Sequence, residues 1–223
     1  MVSAVIVAAG SGSRMGAGFN KVFLPLGECT VLETTLGVFS SCPEIDEIIL
    51  VTGAGDIERC KAFQSQYRIA RIVAGGNTRP ESVANGVRAA SGSYVAIHDA
   101  ARPLITKELI QEAVLQAKQH KAAAVGVICK DTLKQLDADG FFRTTLNRET
   151  TIQIQTPQVF EKKLLEQAYR SYPDFCPTDE CAYMEQMGVA VKLVPGSYEN
   201  IKLTTPEDVA VAEQILRKRG EQQ

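Results

Sequence analysis

Short apolar, β-branched runs recur along the chain at residues 4–8 (AVIVA), 47–52 (EIILVT), 71–74 (RIVA), 94–98 (YVAIH) and 123–128 (AAVGVI). They are continuously apolar rather than alternating, which predicts strands of a parallel sheet covered on both faces. Helix-period segments lie between them. Thr78 and Glu81 have capping-box spacing, Pro80 falls in the first turn, and Val83, Val87 and Ala90 follow at helical intervals. Thr106 is placed to cap a helix carrying Leu109, Ile110, Ala113, Val114 and Ala117, and Thr205-Pro206-Glu207-Asp208 opens another with Val209, Ala212 and Leu216 on one face. Strand–helix–strand repetition with short connections predicts a doubly wound α/β fold.

Residues 131–155 break this rhythm, with neither a helical period nor a long buried run. Asp139-Gly140, between Leu133/Leu136 and Phe141/Phe142, predicts a hairpin turn. A polar hairpin leaving an α/β body buries little of itself, so the expectation is an arm that completes a dimer. At 223 residues and 45% hydrophobic the chain suits one domain over 1–223 that includes this arm.

Composition narrows the function by exclusion. With 24 basic and 26 acidic residues the net charge is -2, so no whole-protein field draws in nucleic acid and an anionic substrate needs local cations. No stretch has the length and apolarity to span a bilayer, and the N terminus lacks a charged leader, so a cytoplasmic protein without membrane association is expected. Six cysteines (Cys29, Cys42, Cys60, Cys129, Cys176, Cys181) lack CxxC spacing and only His98 and His120 accompany them, which argues against a Cys/His zinc site and for reduced packing cysteines.

The first strand runs into Ala8-Ala9-Gly10-Ser11-Gly12-Ser13-Arg14-Met15-Gly16 and then Lys21. A Gly/Ser loop at the carboxyl end of the first parallel strand is where an open α/β sheet binds its ligand, and its N–H groups can cradle phosphate. Met15 stands where a dinucleotide GxGxxG needs glycine, and Lys21 lies between Asn20 and Val22, which excludes a P-loop. Asp99, ending an apolar strand, is a second topological candidate. His98 is assigned to structure, and Asp179 and Glu180, after Thr178, to a helix N-terminus.

These segments, with Gly75-Gly76, Arg79, Ser82-Val83, His98-Asp99-Ala100-Ala101-Arg102-Pro103, Asn147-Arg148, Thr156-Pro157-Gln158, Thr178-Asp179-Glu180 and Asn200-Ile201-Lys202, resemble the 2-C-methyl-D-erythritol 4-phosphate cytidylyltransferase family over nearly the whole chain. The resemblance implies a Rossmann-like nucleotidyltransferase fold, a mostly parallel sheet flanked by helices with a protruding β-arm, working as a homodimer. It implies transfer of CMP from CTP to 2-C-methyl-D-erythritol 4-phosphate, with release of pyrophosphate, in non-mevalonate isoprenoid precursor synthesis. Ala8, Ala9, Gly10, Gly76, Asn77, Ser82 and Asp99 match nucleotide-binding positions, and Ser11, Gly12, Ser13, Arg14 and Lys21 the triphosphate loop. Asp99, Arg102, Thr132, Arg148, Thr156, Thr178 and Lys202 match positions around the sugar phosphate, with Thr132 and Arg148 serving the neighbouring subunit. Two departures stand out: Asn20 where proline commonly precedes the loop lysine, which predicts a less rigid entry to Lys21, and Asn147 where an aspartate commonly precedes the arm arginine, which removes an orienting partner for Arg148.

The implied chemistry needs no proton shuttle, because the substrate phosphate is already an ionised nucleophile. It needs position and positive charge. Arg14 and Lys21 are assigned to the α-phosphate and leaving pyrophosphate, Arg148 and Lys202 to the attacking phosphate, and Mg²⁺ or another divalent cation to the CTP triphosphate, with Asp99 as its candidate protein ligand. The nearest alternative is a cytidylyltransferase for another polyol phosphate such as ribitol 5-phosphate. Ala8 in AAG, Ala101 in HDAARP and Asn147-Arg148 favour the methylerythritol substrate. A catalytically silent nucleotide-binding protein would not require all four cations.

Overall fold

The apolar runs form the centre of the structure. A computed structural model describes residues 1–10 and 20–220. In chain order the elements are β1 (Val2–Ala8), β2 (Pro25–Leu26), β3 (Cys29–Thr30), α1 (Val31–Ser40), β4 (Glu47–Thr52), α2 (Ile57–Lys61), β5 (Ile69–Ala74), α3 (Arg79–Ala89) and β6 (Tyr94–Asp99). Then follow α4 (Lys107–His120), β7 (Ala122–Ile128), β8 (Lys134–Leu136), β9 (Phe142–Thr145), β10 (Ile152–Glu161), α5 (Lys162–Ser171), α6 (Cys181–Gln186), β11 (Lys192–Pro195) and α7 (Pro206–Gly220).

Among the described residues, seven strands make one sheet in the order β11-β7-β10-β6-β1-β4-β5. All neighbours are parallel except β10, which runs against both β6 and β7. The period of two along β1 divides its side chains between two cores. Ala4, Ile6 and Ala8 pack with Leu36 and Phe39 of α1 and Val114 of α4, while Val5 joins Val83 and Val87 of α3 and Leu165 of α5 on the other face. A third cluster, Leu26, Val31, Leu104, Leu203 and Ala212, seats α7 beside the β2–β3 ribbon.

Helix starts follow the side chains suited to them. Thr30 and Glu33 form a reciprocal capping box on α1, and Thr106 Oγ1 accepts from the Leu109 N–H at 3.4 Å. At α3 half of the expected box forms: Thr78 Oγ1 accepts from Glu81 N, but the Glu81 carboxylate reaches Asn77 N at 2.7 Å, bracing the glycine loop before the helix instead.

The segment expected to be irregular proves to be two things. Residues 134–145 are a hairpin, β8 with β9, whose turn has Gly140 at φ 87° and Asp137 Oδ1 accepting from Asp139 and Phe141 N–H groups. Residues 152–155, read as the end of the arm, instead begin β10 in the central sheet. Its polar Gln153, Gln155 and Gln158 and its internal Pro157 hide a central strand from a hydrophobic-run criterion, since proline cannot donate to a ladder. The pairing of β10 with β7 shifts register between Ile154 and Gln158, and this irregularity sets Thr156 beneath the end of β6.

Close helix–sheet approach depends on Gly86 in α3, where a Cβ would lie 2.4 Å from Val5 Cγ1 and 2.7 Å from Val51 Cγ2. Gly86→Ala is expected to destabilise by about 1–3 kcal/mol despite alanine's better helix propensity, read as a lower urea midpoint at unchanged m-value.

Candidate functional site

Sheet order reverses direction at β1, with β4 and β5 on one side and β6 on the other, so the crevice above the carboxyl ends of β1 and β6 is the topological binding position. Three loops meet there. The Ala100 N–H donates to Val7 O at 3.0 Å, joining the ends of β6 and β1. Gly75 N donates to Thr52 O at 2.8 Å, and a Cβ on Gly75 would lie 2.4 Å from that of Ala9, so the loop after β5 lies directly on the loop after β1. Gly76 is equally confined, since its Cβ would meet Glu81. Ser82 Oγ accepts from Gly76 N at 3.0 Å and donates to Thr78 O at 2.9 Å, which spends its proton on shaping this loop.

Asp99, the last residue of β6, organises the charged side of the crevice. Its Oδ2 accepts from Lys202 Nζ at 2.6 Å and its Oδ1 from Arg79 Nε and Nη2 at 3.4 and 3.3 Å. Behind Arg79, both oxygens of the buried Glu180 lie 3.0 Å from Nη1. Burial opposes ionisation of Asp99, but the charges of Arg79 and Lys202 outweigh it and hold the carboxyl far below the usual range. The members of the deeper pair respond differently. Burial works against the Arg79 cation, yet Glu180 and Asp99 secure it, whereas burial pushes Glu180 up to about 7 against the pull of Arg79.

A neutral hydrogen-bond chain supports this cluster from below. His98 is fully buried, and burial lowers it to about 4. Its Nε2 faces the Arg102 carbonyl at 3.1 Å, and because a carbonyl only accepts, Nε2 carries the proton. Nδ1 therefore accepts from Thr156 Oγ1 at 2.9 Å, and that oxygen accepts from the Asp99 N–H at 3.2 Å. The loop carrying Lys202 is fixed by Asn200, fully buried, whose Nδ2 donates to Thr156 O at 3.0 Å and whose carbonyl accepts from Arg102 Nη1 at 2.8 Å. Arg219 of α7 pairs with Glu199 at 2.9 Å and tethers the same loop from outside.

The sequence model for 2-C-methyl-D-erythritol 4-phosphate cytidylyltransferase matches residues 2–218. A protein of that name from Caldanaerobacter subterraneus subsp. tengcongensis is 47% identical over 97% of this chain and 99% of its own. A 4-diphosphocytidyl-2C-methyl-D-erythritol synthase structure from Anaerococcus prevotii superposes with a TM-score of 0.88 at 36% identity, over 97% of this chain and 96% of that one. The Thermus thermophilus 2-C-methyl-D-erythritol 4-phosphate cytidylyltransferase gives 0.79 at 29% identity, over 97% and 100%. The chain belongs to the 2-C-methyl-D-erythritol 4-phosphate cytidylyltransferase family.

As a cytidylyltransferase family member the protein brings part of its expected site together within one chain. Ala8, Ala9, Gly10, Gly76, Asn77, Asp99, Arg102 and Lys202 lie on the loops and strand ends just described, with Ser82 in the first turn of α3 and Thr156 inside β10. Ser11, Gly12, Ser13 and Arg14 lie outside the described residues. Lys21 opens a short 3-10 turn, Lys21–Phe23. Its entry is not looser for want of proline: Asn20 has φ -69°, near the proline value, and Nδ2 donates to Ala8 O at 2.6 Å and to Asp56 Oδ2 at 3.3 Å, while Oδ1 accepts from Val22 N. Thr132 and Arg148 are exposed on or beside the arm, and Thr178 is exposed ahead of α6. Asn147 serves the arm as a turn former, its Oδ1 accepting from Glu149 N and its carbonyl from Thr151 Oγ1.

The helix-start reading holds for Asp179, which accepts from Cys181 N at 2.8 Å, and fails for Glu180, which makes no capping bond and turns inward to Arg79. Arg79 itself had no assigned role. The signal was its place two residues after Gly76-Asn77 at a parallel strand's carboxyl end, but a helix-start position reads equally well as a solvated cation. As for a metal, the described residues contain no group of three His, Cys, Asp or Glu able to hold one, and both Asp99 oxygens already face cations. Among the described residues the donor set does not fit a resident ion.

The neutral His98 makes stability pH-dependent. Its folded value of about 4 lies below the ordinary 6.5, so the folded state resists protonation and loses stability as pH falls from 6.5 towards 4. This loss is about 3 kcal/mol. Glu180, raised by burial to about 7, contributes in the opposite sense in both proteins, so the His98 effect is read as a difference: in urea unfolding the stability of wild type relative to His98→Asn should fall by about 3 kcal/mol as pH goes from 6.5 to 4.

Proposed function

We propose that this chain transfers CMP from CTP to 2-C-methyl-D-erythritol 4-phosphate, giving 4-diphosphocytidyl-2-C-methyl-D-erythritol and pyrophosphate. The observation that carries this reading is the cationic cluster of Lys202 and Arg79 on Asp99 at the switch point, in a chain matching the family across residues 2–218. A phosphate oxygen of the acceptor forms a bond to the CTP α-phosphorus, the bond to the bridging oxygen of pyrophosphate breaks, and the electron pair leaves with pyrophosphate. Lys202, poised on Asp99 by a single hydrogen bond, has two further donors to offer the incoming phosphate. Lys21, set beside the end of β1 by Asn20, and Arg14 take the α-phosphate and leaving group. Small residues Ala8, Ala9 and Gly76 leave backbone groups within reach to read cytosine. A divalent cation would enter on the triphosphate, since the residues described do not form a cage for it.

The arm supports a homodimeric reading. Phe141 and Phe142 at its tip are 71% and 77% exposed, and Leu136 is exposed beside them. Exposed apolar side chains on an otherwise polar hairpin fit a partner subunit, and Thr132 and Arg148 would then reach that subunit's crevice. Among the described residues no helix is long and apolar enough to cross a membrane.

Pyrophosphate release from CTP should depend on methylerythritol phosphate, and ribitol 5-phosphate should be a poor replacement. Full turnover with ribitol 5-phosphate would reassign the substrate. Lys21→Ala and Lys202→Ala should each lower kcat about a hundredfold, with CTP binding only modestly weaker. Arg148→Ala and Lys202→Ala protomers, each inactive, should regain about a quarter of wild-type activity when mixed and re-associated, because half the dimers then hold one complete site. No recovery on mixing would place Arg148 in its own subunit's site, and an active Arg148→Ala protein would place it outside the reaction.

A further inference from the structure

Glu180 is the least expected member of the charged cluster. Its side chain is fully buried, its backbone N–H is fixed to Gln158 Oε1 at 3.0 Å, and it lies on the far side of Arg79 from the crevice. Burying a carboxylate and a guanidinium costs several kcal/mol per ion, and their attraction seldom improves on an apolar pair of similar size. Stability is therefore a poor account of it. Its geometric effect is specific. Nη1 of Arg79 is committed to Glu180, so Nε and Nη2 are turned towards Asp99 Oδ1, which leaves Oδ2 for Lys202. The four residues come from α3, β6, the turn before α6 and the loop before α7, and they form one line of alternating charge.

We propose that Glu180 is a positioning residue for nucleotidyl transfer, acting through Arg79 to orient Asp99 and thereby present Lys202 to the attacking phosphate. This rests on the reaction proposed above. The charges of Arg79, Asp99 and Lys202 sum to one positive, and Glu180 in its ionised form brings the set to neutrality. Without it, Arg79 has one anion in place of two and is free to turn towards an incoming phosphate. Ground-state binding then changes little, or even tightens, while the line of attack is lost. Misplacement of this kind falls on kcat rather than KM.

The test is steady-state kinetics with CTP and methylerythritol phosphate, paired with urea unfolding of each variant. Glu180→Gln should lower kcat about ten- to hundredfold, with both KM values within about threefold of wild type. Arg79→Met should do the same, and adding Glu180→Gln to it should cost less than about a further twofold, because the two act in series. Arg79→Met combined with Glu180→Leu removes both charges and should recover stability while kcat stays low. A folded Glu180→Gln protein with wild-type kcat would overturn the proposal. So would recovery of turnover together with stability in the apolar pair, which is the behaviour of a merely structural ion pair. Wild-type protein that releases no pyrophosphate would overturn the reaction itself, an outcome distinct from an active wild type indifferent to Glu180.

Discussion

The carboxylate of Asp99 is divided between two cations brought from distant stretches of the chain, and the rest of the site is arranged around keeping that division. Lys202 occupies Oδ2 and Arg79 occupies Oδ1. Each cation is held in turn: Arg79 by buried Glu180, and the Lys202 loop by Asn200, Arg102 and the Glu199–Arg219 pair. A single acidic group at the end of a central strand thus keeps positive side chains close together before an anionic substrate supplies its own charge. That is the preorganisation a reaction between two phosphates requires, since cations assembled only on binding would have to be desolvated and oriented at that moment.

The sheet provides the rigidity for this arrangement. Asp99 is buried at the end of β6, between β1 and the reversed strand β10, and Thr156 from the irregular stretch of β10 accepts its N–H. His98, kept neutral by burial, links Thr156 to the Arg102 carbonyl and so ties strand, reversed strand and following loop into one unit. Its contribution is the direction of its hydrogen bonds. Two residues expected at the substrate, Thr156 and Arg102, spend polar groups on this support. Their importance to the site then comes through the position of Asp99 and Lys202 as well as through any contact with ligand.

The departures from the family pattern also have physical substitutes. Asn20 reproduces by side-chain hydrogen bonds and a φ of -69° the restraint a proline imposes covalently. Asn147 builds the turn that carries Arg148. Neither compensation can be read from residue type, because asparagine bonds whatever the fold brings near, and Ala8 and Asp56 are remote from Asn20 in sequence.

The strands read at 47–52 and 94–98, the caps at Thr78 and Thr106, and the glycine-bearing ends of β1 and β5 follow from local pattern, because apolar continuity, capping chemistry and close backbone approach act within a few residues. The ordered set of motifs also determined the family, since spacing along the chain survives without coordinates. Tertiary structure decided what depends on distant partners. It placed β10 in the central sheet despite its glutamines and proline, turned Glu180 from a helix start into a buried ion partner, and joined Arg79 to Asp99 and Lys202. A charged side chain reads alike in sequence whether it faces water or another charge, and only the fold, by removing water and supplying the counter-ion, distinguishes the two.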